Sequence, residues 1–227
     1  MKGSLLIAVG IVVAGFLMSR AIVTFKEMDR AVEVRGLAER VVDADQAVWT
    51  IRYSASSEQL TDVNAKILAL QNQVIDFVKQ QGFTDAEIQK DVVNMTDKTT
   101  QEYGDSKGPR FVARGGVMVG TKRVQEVTAA SQKTDELLKK GIVLSSSNVS
   151  YYFTDLNSIK PAMLQEATKS AREAAQVFAQ HADAKVGGIK RATQGLFSIN
   201  SPLEDYDNST SIKKKVRVVT QVVFYLE

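Results

Sequence analysis

Residues 46–80, QAVWTIRYSASSEQLTDVNAKILALQNQVIDFVKQ, change their hydrophobic period part-way along. Ala47, Trp49, Ile51 and Tyr53 alternate with Val48, Thr50 and Arg52. Successive side chains of a strand point to opposite faces, so this spacing lays one face on a core. From Leu60 the steps become three and four, through Val63, Ile67, Leu70, Val74 and Phe77. That is the stripe of an amphipathic helix, and Gly82 supplies its stop signal.

Upstream, Val32, Val34, Gly36 and Ala38 share one face of a first strand, which the Asp43-Ala44-Asp45 turn joins to the second as a hairpin. Downstream, Thr84 and Glu87 have capping-box spacing, and one turn there leads into a strand near Ile88 to Met95. Thr96 to Pro109 is polar and glycine-bearing and reads as an exposed loop. Alternation returns over Phe111 to Thr121, where the paired Gly115 and Gly116 predict a bulge or a close backbone approach. A second helix is expected over Gln125 to Lys140, ended by Gly141, then a strand through Val149, Tyr151 and Phe153. A third helix from Ser158 carries Pro161 in its first turn and the stripe Leu164, Ala167, Ala171, Ala174, Phe178 and Ala182. Small residues in that stripe let a helix lie close to its neighbour. Ile189 to Phe197 and Val216 to Leu226 read as the last two strands. Strands with inserted helices, many strands in adjacent hairpins, make this an α+β fold: mixed or antiparallel sheets with about three packed helices. A subdomain division near Gly120 to Arg123 is compatible with the pattern.

The totals narrow the function classes. The 227 residues are 44% hydrophobic and 24% charged, an ordinary globular composition. Twenty-nine basic against 26 acidic residues leave a net charge of +3, too balanced for a nucleic-acid protein. There is no cysteine, which excludes disulfides, thiolate metal sites, a cysteine nucleophile and a lipid-modified N-terminal cysteine. Lys2 is followed by an uncharged, mostly apolar run from Gly3 to Ser19. It suits either a signal peptide cut after Ala21 or an uncleaved anchor extended through Phe25 if Arg20 reaches to the interface. The anchor is favoured. It makes residues 1–25 a membrane helix, 26–30 a juxtamembrane linker and 31–227 the folded domain. Lys2 on one side and Arg20, Lys26 and Arg30 on the other leave topology undecided by charge.

Several pieces together resemble the SIMPL domain of bacterial periplasmic and outer-membrane-associated proteins. They are Val32-Glu33-Val34-Arg35-Gly36, Asp45-Gln46-Ala47, the long helix ending at Gly82, the strand Phe111 to Val119, and the alanine-rich helix followed by Val186-Gly187-Gly188-Ile189. The resemblance spans nearly all of Ala31 to Glu227. It implies a secreted or anchored α+β protein of a family in which some members assemble into large rings, and it brings no catalytic residues with it.

Candidate chemistry is sparse. His181, the one histidine, stands near a helix C-terminus with Asp183 two residues away and off its face, which suits interaction with the helix end better than metal binding. Asp43 and Asp45 are turn residues before they are an acid–base pair. Ser145-Ser146-Ser147 lacks a nucleophile-elbow context and reads as a loop. Gly115-Gly116 and Gly187-Gly188 lack a phosphate-loop pattern. Lys213-Lys214-Lys215 reads as a solvated basic stretch guarding the hydrophobic last strand, and Trp49 as core. The triplets at Asn94, Asn148 and Asn208 carry meaning only in a eukaryotic secretory pathway.

No catalytic, cofactor-binding or metal residue is assigned, and no cofactor is expected. The last strand sets Val216, Val218, Val222 and Phe224 on one face and Val219, Val223 and Tyr225 on the other. Such a strand needs cover on both sides, within the fold or between subunits. The expectation is a non-enzymatic, membrane-anchored periplasmic protein that forms a homo-oligomer. A binding or chaperone-like module for other envelope proteins is the alternative, and an unrecognised hydrolase a more distant one.

Overall fold

The computed structural model describes residues 14–20, 30–100, 108–203 and 209–227. Among the described residues from Arg30 onward, eight strands and four α-helices follow the order β1 (Ala31–Asp43), β2 (Gln46–Ser57), α1 (Leu60–Gln80), β3 (Ile88–Lys90), β4 (Asn94–Asp97), β5 (Phe111–Thr121), α2 (Val124–Ser131), α3 (Asp135–Lys139), β6 (Leu144–Tyr152), α4 (Leu156–His181), β7 (Val186–Asn200) and β8 (Lys213–Leu226). The chain divides into two units. One takes the described residues up to Arg40 with Leu156–Ile199 and Lys215–Glu227; the other takes Val41–Asp155 with Asn200–Lys214. Gly120 to Arg123 lies inside the latter.

The Val41–Asp155 unit is built on β2. It pairs antiparallel with β5 on one side and β6 on the other, and β3 and β4 pair in turn with successive stretches of β5. Trp49 stands opposite Val119 and Val149, and Ile51 opposite Val117 and Ser147. Ala47, Trp49, Ile51 and Tyr53 are fully buried against Val63, Ile67, Val74, Phe77 and Val78 of α1. Each large side chain so buried contributes about 1.5–3 kcal/mol. The Trp49 indole meets the rings of Phe77 and Phe83 edge-on at 6.2 and 6.5 Å and donates from Nε1 to Ser147 Oγ at 2.9 Å. The helix stripe is as the sequence reads it from Val63 to Phe77. Leu60, at the first turn, is exposed.

The other unit is a three-stranded sheet in the order β1-β8-β7 with α4 on one face. Lys185 and Glu227, at the open end of the β7–β8 pair, exchange two backbone hydrogen bonds in the antiparallel pattern. The buried stripe of α4 is Met163, Ala167, Ala171, Ala175 and Ala179, at a strict step of four. Gly36 explains the alanines. A β-carbon there would fall 1.8 Å from the Ala167 carbonyl oxygen and 2.5 Å from the Ala171 amide nitrogen. Strand backbone lies against helix backbone, which only glycine permits.

Several sequence expectations are corrected. Phe178 and Ala182 lie off the buried stripe of α4 and are exposed, because a step of four drifts away from them. The second predicted helix is two, α2 and α3, parted at 132–134. The strand expected near Ile88 to Met95 is two short strands, because Asp91–Val93 leave the ladder between them. Ser145–Ser147 belong to β6 and are no loop, since Arg52 and Ile51 of β2 pair with Ser146 and Ser147. The stop signals hold, with Gly82 and Gly141 at φ +93° and +79°. Most of the N-terminal hydrophobic segment lies outside the described residues, as do the 26–29 linker and Asn208. No helix among the described residues is long and apolar enough to cross a membrane.

Gly36→Ala is expected to destabilise the full chain by about 3 kcal/mol or more. Gly188→Ala, where a β-carbon meets nothing within 4 Å, should shift it by less than about 1 kcal/mol. Denaturant titration followed by circular dichroism compares the two.

Candidate functional site

The face of the five-stranded sheet turned away from the helices carries a cleft of about 740 Å³, lined by Arg52, Tyr53, Asp91, Val92, Asn94, Arg114, Gly115, Ser145 and Ser146. Strand parity makes it. Trp49, Ile51 and Tyr53 point to the core, so Thr50, Arg52 and Ser54 point outward. Across the sheet, Ser146, Arg52 and Gly116 form one row, and Ser54, Arg114 and Asn94 the next. Arg52 and Arg114 are thus diagonal cross-strand neighbours, roughly 7–8 Å apart at their bases.

Gly116 has a steric task here. A β-carbon on it would lie 2.6 Å from Asp91 Oδ2, so the missing side chain lets the Asp91 carboxylate settle onto the strand. Asp91 is tied down by its backbone N–H, which donates to the Gly116 carbonyl at 2.9 Å. Gly115 does the same on the core face, making room for the ring of Tyr53. The expected close approach is therefore real and two-sided, whereas the bulge lies between Arg52 and Tyr53 in the β2–β6 pairing. The Tyr53 hydroxyl finds no hydrogen bond of good geometry. Burial pushes its pKa up, against a pull from the Gln71 side chain, and the Asp91 carboxylate adds to the rise.

The residues singled out in the sequence are not brought together. Asp45 accepts hydrogen bonds from the backbone N–H groups of Thr154 and Asp155 at 2.8 and 2.7 Å, and from the Thr154 hydroxyl at 2.9 Å. Burial pushes its pKa up, but these bonds outweigh it and the net shift is downward. Asp43 instead pairs with Lys213 at 2.7 Å. His181 is the exposed last residue of α4. Of the three lysines, Lys213 is exposed but Lys214 is fully buried, so they are not one solvated stretch. Lys214 shares the inward parity of Val216 and Val218. Asn94 and Asn148 are exposed. No cluster of metal-ligating side chains occurs among the described residues.

The strongly shifted carboxylates serve structure. Glu87 Oε2 accepts from Thr84 N at 3.0 Å and from Arg123 Nη2 at 2.7 Å, and Oε1 from Thr121 Oγ1 at 2.6 Å. The Thr84–Glu87 spacing read from sequence is thus one half of a capping box: the Glu87 carboxylate accepts from both the N–H and the hydroxyl of Thr84, and Arg123 is added from further along the chain. The Arg123 and Thr121 bonds hold the Glu87 carboxyl down at about 2. Arg110, bidentate on Asp97 at 2.8 and 3.1 Å, holds that carboxyl well below the usual range.

The sequence profile of SIMPL, described as a protein of unknown function (DUF541), matches residues 32–224. The chain belongs to the SIMPL family. A search of curated proteins found no match. The SIMPL match takes in both units, from β1 to β8, and so covers the cleft as well as the three-stranded sheet.

Sequence reasoning missed Arg52, Asp91 and Arg114 as a group. The outward parity of both arginines was readable, but the register that sets Arg114 beside Arg52 was not.

Glu87→Gln should cost about 1 kcal/mol at neutral pH, the scale of a partly exposed, hydrogen-bonded ion pair. The folded-state pKa of Glu87 is depressed from 4.5 to about 2, so its contribution is present above pH 4.5 and lost as pH falls towards 2. Melting curves at pH 7 and pH 3 should show the gap between wild type and variant closing in acid.

Proposed function

We propose that this SIMPL protein is a non-enzymatic, membrane-anchored module of the extracytoplasmic envelope that assembles with copies of itself. The observation that carries the reading is β7. It is the edge strand of the β1-β8-β7 sheet and runs for 15 residues, most of them exposed on both faces, with Ile189 46% and Leu196 95% exposed. A long edge with apolar side chains is a template for another strand. The face of β8 opposite α4 adds to this, since Val219 and Val223 are only half-buried and Tyr225 is exposed.

A second copy suits the edge. β1 is the other edge of the same sheet, and β7 carries Lys190 and Arg191 with no acidic residue, while β1 carries Glu33, Glu39 and Asp43 against Arg35 and Arg40. Pairing β7 of one copy with β1 of the next joins unlike surfaces, the head-to-tail arrangement that generates rings when the rotation closes. Anchoring rests on the apolar run from Gly3 to Ser19. The non-enzymatic reading is supported by Glu87 and Asp97, which guanidinium groups hold down, whereas a general acid near neutral pH needs a carboxyl pushed up.

Light scattering on the detergent-solubilised full chain is expected to give one defined mass several times the 24.9 kDa protomer. Leu196→Lys should reduce that mass without altering the melting temperature, and Leu203→Lys, equally exposed but outside β7, should leave it unchanged. A monomeric wild type would end the assembly reading; an unaffected Leu196→Lys oligomer would move the interface away from β7. Deleting residues 2–25 should release the chain from carbonate-washed membranes, and retention there would remove the anchor.

A further inference from the structure

The Val41–Asp155 unit contains four arginines, and they divide into two kinds. Arg110 is committed to Asp97, and Arg123 to Glu87 and Glu126 at 2.7 and 2.6 Å. The side chains of Arg52 and Arg114 form no ion pair or hydrogen bond with any described residue, although they stand beside each other on the same face of the sheet. Exposed guanidinium groups whose bases lie this near repel one another only weakly through water, and a shared anion would turn that repulsion into attraction. Asp91 goes part of the way. Its carboxylate sits over Gly116 without reaching ion-pair distance of either arginine, which leaves the lining with one surplus positive charge.

We infer that this cleft binds an oxyanion, a phosphate or carboxylate group carried by a small polar molecule, between Arg52 and Arg114. The guanidinium fork matches the two oxygens of such a group, and charge-assisted pairs of this kind are the strong ones. Asn94, Ser145 and Ser146 border the same space and add an amide and two hydroxyls, while the aliphatic side chain on the lining is Val92. That lining suits a hydroxyl-bearing body and disfavours an apolar one. The volume of about 740 Å³ is much more than a bare phosphate needs and falls within the range of small-molecule sites. Asp91 then has two effects. It repels the anion mildly, and it offers an acceptor to hydroxyls on the ligand's body. The site stands apart from the assembly reading, because none of its residues belongs to β7 or β8.

Calorimetric titration of the full chain in detergent, at fixed low salt, tests it with glycerol 3-phosphate and glucuronate as probes and glycerol as the neutral control. Saturable binding of at least one charged probe at about millimolar concentration or below is expected, with none for glycerol. Whichever charged probe binds more tightly names the phosphate or the carboxylate as the group recognised. Arg52→Gln and Arg114→Gln should each weaken binding about tenfold, and the double variant should abolish it. Asp91→Asn should tighten the binding of inorganic phosphate, which has no body for Asp91 to hold. Both arginines are exposed, and melting curves check that the variants fold; if the double variant does not, Arg114→Gln alone decides. Absence of saturable binding by both charged probes, wild-type affinity in the arginine variants, or weaker phosphate binding by Asp91→Asn would each overturn the proposal. Oligomer mass enters none of these readouts, so failure here leaves the assembly reading standing, and the reverse.

Discussion

Where β1 meets α4, the absent side chain of Gly36 lets the helix come down until its backbone at Ala167 and Ala171 touches the strand. A helix held by larger residues would ride some ångströms higher and span the sheet loosely. Held this close, α4 covers one parity of β1 and β8 thoroughly: Val34, Ala38, Val216, Val218, Val222 and Phe224 are all buried. The alanine step of four on the helix and the glycine on the strand are two halves of one requirement, and changing either alone fails. The approach also fixes what is left over. One narrow helix covers the strands it touches, so β7, at the far edge of β1-β8-β7, keeps both of its faces exposed.

The five-stranded sheet follows the same logic with a different remainder. Three helices bury the parity of Trp49, Ile51 and Tyr53, and the opposite parity is left without a helical layer. What occupies that open face is mixed: Val48, Met118, Val112 and Tyr152 stand among Thr50, Arg52 and Ser54 on β2, Arg114 on β5, and Ser146, Asn148 and Ser150 on β6, and the polar side chains gather around the cleft. The two open faces thus differ in chemistry. One has large apolar side chains beside an unpaired edge, and the other has arginines, hydroxyls and an amide around a depression. An exposed apolar edge is stabilised by another strand, whereas a polar depression with surplus positive charge is stabilised by an anion.

How much of this was legible in the sequence depends on the range of the interaction involved. Period and parity are local, and they gave the β2 face, the α1 stripe, the final strands and the glycine stops. The Thr84–Glu87 cap was readable for the same reason, since its partners lie three residues apart. Arg123, which completes that cluster, is 36 residues from Glu87, and no spacing rule reaches it. The serines of β6 misled because Ser, with low β propensity, gives no strand signal; pairing with β2 overrides the propensity. The α4 stripe was misjudged at Phe178 because a large apolar residue was presumed to be inward, when close approach at Gly36 selects small residues and turns the large one out.

The cleft marks where sequence reading stops. Arg52 and Arg114 each look like an ordinary outward-facing strand residue, and Gly116 like a weak point in its strand. Only the antiparallel register places Gly116 opposite Arg52 and Arg114 one step along, and only then does the glycine acquire a reason, as the gap that admits Asp91. A side chain at position 116 would force the carboxylate to shift from its place over the strand. The strand therefore gives up propensity at Gly116, which costs about 1 kcal/mol, to hold a counter-charge near the arginines without quenching them. For a sheet that needed only to be stable, closing the arginines into ion pairs, as at Asp97 and Glu87, was the simpler arrangement. Leaving them open is intelligible if the cleft is kept for a ligand.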